Sequence, residues 1–151
     1  MCGTKRLLRK ERAGCSMSLR SCQLDALEPA LTTTLIVLAH PEPRSFNGAW
    51  ADATRSACEA LGDTVLTSDL STLDFQPVER ANNYPHRSSS EPFDPLKAQE
   101  EAADLKELPV DVQIEIDKLR RADRVVFHFP VWWFAPPAIL KGWFDRVLAH
   151  G

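Results

Sequence analysis

Two short runs of uninterrupted apolar residues bracket a long polar stretch of the chain. The first, Leu35-Ile36-Val37-Leu38-Ala39, has the length and lack of alternation of a strand buried on both faces of a parallel sheet. His40-Pro41 ends it, because proline cannot continue a ladder. The second, Val125-Val126-Phe127-His128-Phe129, predicts a strand from Arg124 to Phe129 that Pro130 closes. Between them, Phe46, Trp50, Ala53, Ala57 and Leu61 recur at helical spacing. Ser45 or Asn47 would cap that helix, and Gly62 is placed for a left-handed position just beyond its end. Thr64-Val65-Leu66-Thr67 reads as a further strand, left through Ser68-Asp69-Leu70.

A connection from Ser71 to Val110 follows, much longer than an ordinary strand-to-helix loop. Pro77, Pro85, Pro92, Pro95 and Pro109 punctuate it, and it is expected to drape over the sheet. Its second half, Leu96 to Leu108, is rich in Ala, Glu, Lys and Leu and predicts a helical turn or two with a solvated charged face. Asp111 then reads as the cap of a helix whose apolar line is Val112, Ile116 and Leu119, with Arg120-Arg121 near its end, where the helix dipole favours cations. After Pro136-Pro137, Ile139, Leu140, Trp143, Phe144 and Val147 make the apolar face of a last helix. Strands alternating with amphipathic helices imply an α/β fold, a doubly wound parallel sheet with helices on both sides. Three strands are few for such a sheet, which normally has five or so, and the expectation is a three-layer α/β/α domain incomplete at its C-terminal side.

Composition narrows the class. At 151 residues the chain has room for one domain, not two. It is 44% hydrophobic and 26% charged, and no run approaches the ~20 apolar residues of a membrane span. The net charge of −3 gives no basic footprint for nucleic acid. That charge is unevenly placed: Lys5, Arg6, Arg9, Lys10, Arg12 and Arg20 outweigh Glu11, Asp25 and Glu28, so residues 1–30 sum to +3 and the remainder to −6. Residues 1–31 show no sustained period and are expected to be a disordered basic leader, with an organelle transit peptide as the other reading; residues 32–151 form the folded part. Cys2, Cys15 and Cys22 lie in the leader, leaving Cys58 in the folded part as a surface or half-buried side chain. No C-x-x-C pair occurs, so neither a disulfide framework nor a zinc site is expected.

In an open α/β sheet a ligand lies beyond the carboxyl ends of the strands, where the strand order reverses. Two segments occupy such positions. After the first strand, His40, Ser45 and Asn47 lead into a helix N-terminus and make a donor-rich nest for a phosphate; the other reading of Ser45 and Asn47 is simple helix capping. Neither G-x-x-x-x-G-K-[ST] nor G-x-G-x-x-G is present, and without a G-x-S-x-G elbow hydrolysis is disfavoured. After the last strand, Pro130-Val131-Trp132-Trp133-Phe134 sets three aromatics in a short loop held between prolines. They cannot all turn inward. Such a wall suits a flat conjugated ring, and it would equally cover a sheet edge or form a subunit contact. No partner residues at metal spacing accompany His40, and no metal is assigned.

The stretch from Leu35 to Pro41, then Ser45-Phe46-Asn47, and above all Phe127 through Pro130, Trp133, Phe134 and Lys141-Gly142-Trp143-Phe144-Asp145-Arg146-Val147, resemble the NAD(P)H:quinone oxidoreductase family of flavodoxin-like flavoproteins. Ser68-Asp69-Leu70 and Asp74-Phe75-Gln76-Pro77 extend the likeness, which covers residues 32–151. The resemblance implies a cytoplasmic homodimer that takes a hydride from NAD(P)H onto a flavin, usually FAD and less often FMN, and passes two electrons to a quinone or nitroaromatic. It implies that His40, Ser45, Phe46 and Asn47 hold the flavin's phosphate arm. Pro130, Val131, Trp132, Trp133 and Phe134 would border its ring, with Trp133 and Phe134 also lining the substrate pocket. A later Thr-Gly-Gly loop and the Tyr and His residues after it lie beyond Gly151, so no catalytic residue is named. The chain alone is expected to be marginally stable and to bind FAD weakly or not at all. A flavodoxin-like remnant that binds a partner chain through Trp132-Trp133-Phe134, without catalysis, is the alternative.

Overall fold

The apolar runs do become strands. In the computed structural model, which describes residues 31–87 and 90–148, β1 (Thr33–Leu38), β2 (Thr64–Asp69) and β3 (Arg124–His128) form a parallel sheet in the order β2-β1-β3. Leu35 aligns with Leu66 and Val125, and Leu38 with Asp69 and His128. Except for Leu31, the leader expected over residues 1–31 lies outside the described residues.

Helices α1 (Phe46–Ala60), α2 (Pro95–Leu105), α3 (Val110–Arg121) and α4 (Ala138–Val147) surround the sheet. The strand alternation sorts them. Leu35, Val37 and Ala39 point to one side, into a core with Val112, Leu140, Trp143 and Val147, so α3 and α4 cover that face. Ile36 and Leu38 point to the other, lining a space with Gly48 and Ala51 of α1. The result is the three-layer α/β/α arrangement, with β1 central and the order reversing between β1 and β3.

Several local expectations need correction. Helix α1 forms where the period placed it and Gly62 is left-handed at φ +84°, but Phe46, Trp50, Ala53, Ala57 and Leu61 lie on its exposed side. The buried line is Gly48, Ala51 and Cys58: small side chains let the helix sit close to the strands. Cys58 is therefore buried rather than a surface residue. Pro109, not Asp111, precedes the first turn of α3, and Asp111 instead takes both Nη groups of Arg146, at 2.7 and 3.3 Å. The long connection enters the core through Phe75 and then forms a satellite in which Tyr84, Ala98, Ala102 and Phe93 pack together. Its helix α2 has 11 residues, more than a turn or two. Gln99 ties the satellite to α4 by donating to the Asp145 carbonyl oxygen at 3.0 Å. Phe129, expected to end the last strand, lies just beyond β3.

The core contains one charged knot that apolar patterning does not show. The carboxylate of Glu115, 1% exposed, accepts from the Trp143 indole at 3.0 Å and from Lys118 Nζ at 2.7 Å. Lys118 also donates to the Thr67 carbonyl oxygen and to Ser68 Oγ, both at 3.0 Å. One carboxylate thus joins α3, α4 and β2. Replacing it by alanine leaves an ammonium and an indole N–H short of their partner, and removing one member of a buried pair typically costs about 3–5 kcal/mol. Glu115→Ala is expected to lower the urea midpoint steeply, and Glu115→Gln, which keeps an acceptor for the indole, less so. Equal midpoints for Glu115→Ala and the wild type would show the knot to be dispensable.

Candidate functional site

The order reversal brings the two suspected segments side by side. The Ala39 N–H, at the exit of β1, donates to the His128 carbonyl oxygen, at the end of β3, at 2.9 Å. Beyond them the His40 and Trp132 rings meet edge to face, 5.9 Å between centroids.

On the β1 side, Ser45 is the cap of α1, its Oγ accepting from the Gly48 N–H at 3.1 Å. That bond uses a lone pair and leaves the hydroxyl proton free to donate, so capping and anion binding are compatible. Asn47 makes no cap. The N–H groups of Phe46 and Asn47 have no acceptor among the described residues, as expected for a first helical turn, and they carry the positive end of the helix dipole. His40 is fixed by its neighbour: the Glu42 N–H donates to Nδ1 at 3.0 Å. Nδ1 also lies 3.1 Å from the Glu42 carbonyl oxygen, so the Glu42 backbone can hold the ring in either neutral tautomer, and Nε2 is a donor in the one that leaves Nδ1 unprotonated. The acid in this loop is neutralised within it. Glu42 accepts from Arg44 Nε at 3.0 Å and Nη2 at 3.2 Å, and these bonds hold its carboxyl below the ordinary carboxylate range. The loop therefore presents donors without an unpaired carboxylate.

On the β3 side, Trp132 and Ala135 exchange two backbone hydrogen bonds, the Trp132 N–H donating at 2.9 Å and the Ala135 N–H at 3.1 Å. The two residues between them, Trp133 and Phe134, both have positive φ, 51° and 63°. This is a primed tight turn made without glycine or asparagine, and bulky residues there store on the order of 1–3 kcal/mol each. The turn, closed by those two bonds, carries both rings outward: Trp133 is 94% and Phe134 101% exposed. Val131 is exposed and Trp132 half-exposed, while Pro130 is partly covered. The N–H groups of Val131, Trp133 and Phe134 have no acceptor among the described residues. The sequence-predicted residues thus fall into two adjoining sets, a donor nest and an aromatic turn.

These features can be set beside known proteins. A family profile described as "Flavodoxin-like fold" matches residues 32–151. The chain belongs to this family. Among curated relatives, rat ribosyldihydronicotinamide dehydrogenase [quinone] is 42% identical over 118 residues, 78% of this chain and 51% of the relative. Rat NAD(P)H dehydrogenase [quinone] 1 is 42% identical over 127 residues, 81% and 45%. The flavodoxin-like architecture also appears in solved structures. A putative quinone reductase from Klebsiella pneumoniae superposes with TM-score 0.75 at 36% identity, over 78% of this chain and 46% of that one. An NAD(P)H:quinone oxidoreductase from Methanothermobacter marburgensis gives 0.61 at 32%, over 80% and 55%. The chain spans about half the length of the curated relatives it matches. The resemblance to the quinone oxidoreductases read from Phe127 to Val147 is thus supported by relatives carrying those names. No helix among the described residues is long and apolar enough to cross a membrane.

The sequence reading missed one member of the site's frame, His128. It is 5% exposed, its Nε2 lies 3.1 Å from Thr54 Oγ1, and its ring is 5.4 Å from that of Trp50. A lone polar residue in an apolar strand, next to a candidate loop, was the available signal. Burial holds its imidazole below the ordinary value of 6.5. Between the lowered value and 6.5 the unfolded chain binds more protons than the native one, so this group makes stability rise with pH through that window and level off above it. Urea midpoints between pH 5 and 8 should show this rise, and His128→Gln should remove its part of it. A wild-type midpoint that falls with pH across the window while His128→Gln stays flat would contradict the assignment.

Proposed function

We propose that this chain supplies the flavin-binding part of an NAD(P)H:quinone oxidoreductase. The observation that carries the proposal is the meeting of an α1 donor nest with a strained, outward-facing aromatic turn across the β1–β3 reversal, held by the His40–Trp132 contact. An anionic arm and a flat heterocycle joined in one molecule match those two surfaces, and a flavin nucleotide has both.

In this reading the His40 imidazole, in the tautomer that protonates Nε2, the Ser45 hydroxyl and the N–H groups of Phe46 and Asn47 bind the phosphate arm. Pro130, Val131 and Trp132 border the ring edge, where free backbone N–H groups meet its polar atoms. Trp133 and Phe134 wall the pocket in which the quinone or nitroaromatic stacks and from which they exclude water. The flavin, when bound, supplies the hydride chemistry, accepting from NAD(P)H and delivering two electrons to the quinone. The chain's residues bind, orient and shield. FAD is preferred to FMN, and the working protein is a cytoplasmic homodimer; both follow the likeness to the quinone oxidoreductases.

Because the chain spans about half of its relatives' length, flavin binding by these residues alone is expected to be weak. Titrating FAD and FMN into the chain, with amide exchange read at each step, tests the assignment. Saturable binding that protects residues 40–48 and 130–136 supports it. Protection confined elsewhere, or none at millimolar flavin, overturns it.

A further inference from the structure

His128 joins more of the site than any sequence pattern suggests. Its carbonyl oxygen receives the Ala39 N–H, one residue before His40. Its imidazole bonds Thr54 and packs at a tilt against Trp50, with 5.4 Å between ring centroids, and Trp50 in turn lies 5.6 Å from Phe46. A line of ring contacts thus runs from Phe46, in the nest, through Trp50 to His128, two residues before Pro130 and the aromatic turn. Elsewhere α1 meets the sheet through Gly48 and Ala51, side chains too small to fix the helix against sliding or rolling, and through Cys58, whose Sγ accepts a long 3.8 Å bond from Arg124 near the far end of the helix. Of its aromatic residues, Phe46 is largely exposed, and Trp50, though half-exposed, reaches the sheet at His128.

We propose that His128 is a positioning residue that sets the spacing between the α1 nest and the Pro130–Phe134 turn. Its hydrogen bond to Thr54 locks α1 along the strand direction, and its ring, against Trp50, limits the roll of the helix. Both constraints act on the middle of α1, at Trp50 and Thr54, one to two turns beyond the N-terminal turn that carries the donors. A small aliphatic side chain would fill much of the space and hold neither. Glutamine would present a polar atom near the Nε2 position and restore the first of the two constraints.

The proposal rests on the flavin reading for the name of the site, while the coupling itself belongs to the chain without ligand. Amide exchange is therefore compared in the ligand-free chain for the wild type, His128→Leu, His128→Gln and Thr54→Val. His128→Leu and Thr54→Val are each expected to speed exchange of the hydrogen-bonded amides of the two segments, Glu42, Ser45, Gly48, Trp132 and Ala135, by roughly tenfold, the loss of about one hydrogen bond's worth of local protection. Exchange in β2 should be unchanged, and the double variant should be no faster than His128→Leu alone. His128→Gln should recover most of the protection. Acceleration spread evenly over the sheet, glutamine behaving like leucine, or additive effects in the double variant would each overturn the positioning role. Should His128→Leu not fold, Thr54→Val and His128→Gln decide the matter. A parallel FAD titration separates the two readings: absence of binding by the wild type defeats the flavin assignment and leaves the exchange result standing.

Discussion

Gly142→Ala is expected to destabilise the chain by at least about 2 kcal/mol, although alanine is the better helix former. Gly142 lies in the middle of α4. Removing glycine from a helix interior should stabilise it by roughly 0.5–1 kcal/mol. The opposing term is steric. A Cβ at this position would fall inside the contact distance of the Pro77 carbonyl oxygen, Cα and Cβ. Those are mostly backbone atoms, so no rotamer change relieves the clash and either α4 or the connection must move. Overpacking a tight contact costs typically 1–3 kcal/mol, and more where the obstacle is backbone. Movement here also breaks a neighbouring contact: Arg146, 2% exposed, donates to the Gln76 carbonyl oxygen at 2.5 Å and lies over the Phe75 ring. The steric term therefore exceeds the propensity term. Urea unfolding with an unchanged m-value and a lower midpoint would show it; a midpoint at or above the wild type would mean that Pro77 does not press on α4.

The close approach of Gly142 to Pro77 marks the boundary of what the sequence could disclose. Strands β1 and β3 were legible because uninterrupted apolar runs have one stable placement, inside a sheet covered on both faces. Helix α4 was legible because its apolar line is also its buried line. Helix α1 was half legible. Its period is carried by Phe46, Trp50 and Leu61, yet the line facing the sheet is Gly48, Ala51 and Cys58, because close packing selects small residues and hydrophobicity scales give these little weight. Glu115 was invisible for a related reason: a glutamate in a charged helix reads as solvated until Lys118 and Trp143 are seen converging on it. The two loops of the site were found by their place after strands and by the chemistry of their residues. Their contact through His40 and Trp132, and the role of His128 behind them, depend on the β2-β1-β3 order that brings distant segments together.

Gly48→Ala should separate the site from the fold. Gly48 is the third residue of α1, and its N–H is the one that Ser45 Oγ caps. A Cβ there would collide with the Pro43 carbonyl oxygen and carbon, so the loop from Pro41 to Ser45 has to move away from the helix. That loop is exposed, and its displacement costs little core packing. The fold should survive, with a loss near the ~1 kcal/mol of a helix cap. Binding should not survive in the same way, because in the proposed site His40, Ser45 and the first-turn N–H groups would act together on one anion, and moving the loop would mis-set several donors at once. Flavin affinity is expected to fall at least tenfold, or about 1.4 kcal/mol, and ligand protection of residues 40–48 should vanish. Ser45→Ala is the comparison. It removes the cap and one donor while leaving the loop in place, so its affinity should lie between the wild type and Gly48→Ala. If Gly48→Ala binds FAD as the wild type does while Ser45→Ala is impaired, the anion is held by the hydroxyl alone and the nest assignment is wrong. If neither variant changes binding, the flavin's phosphate arm lies elsewhere on the protein.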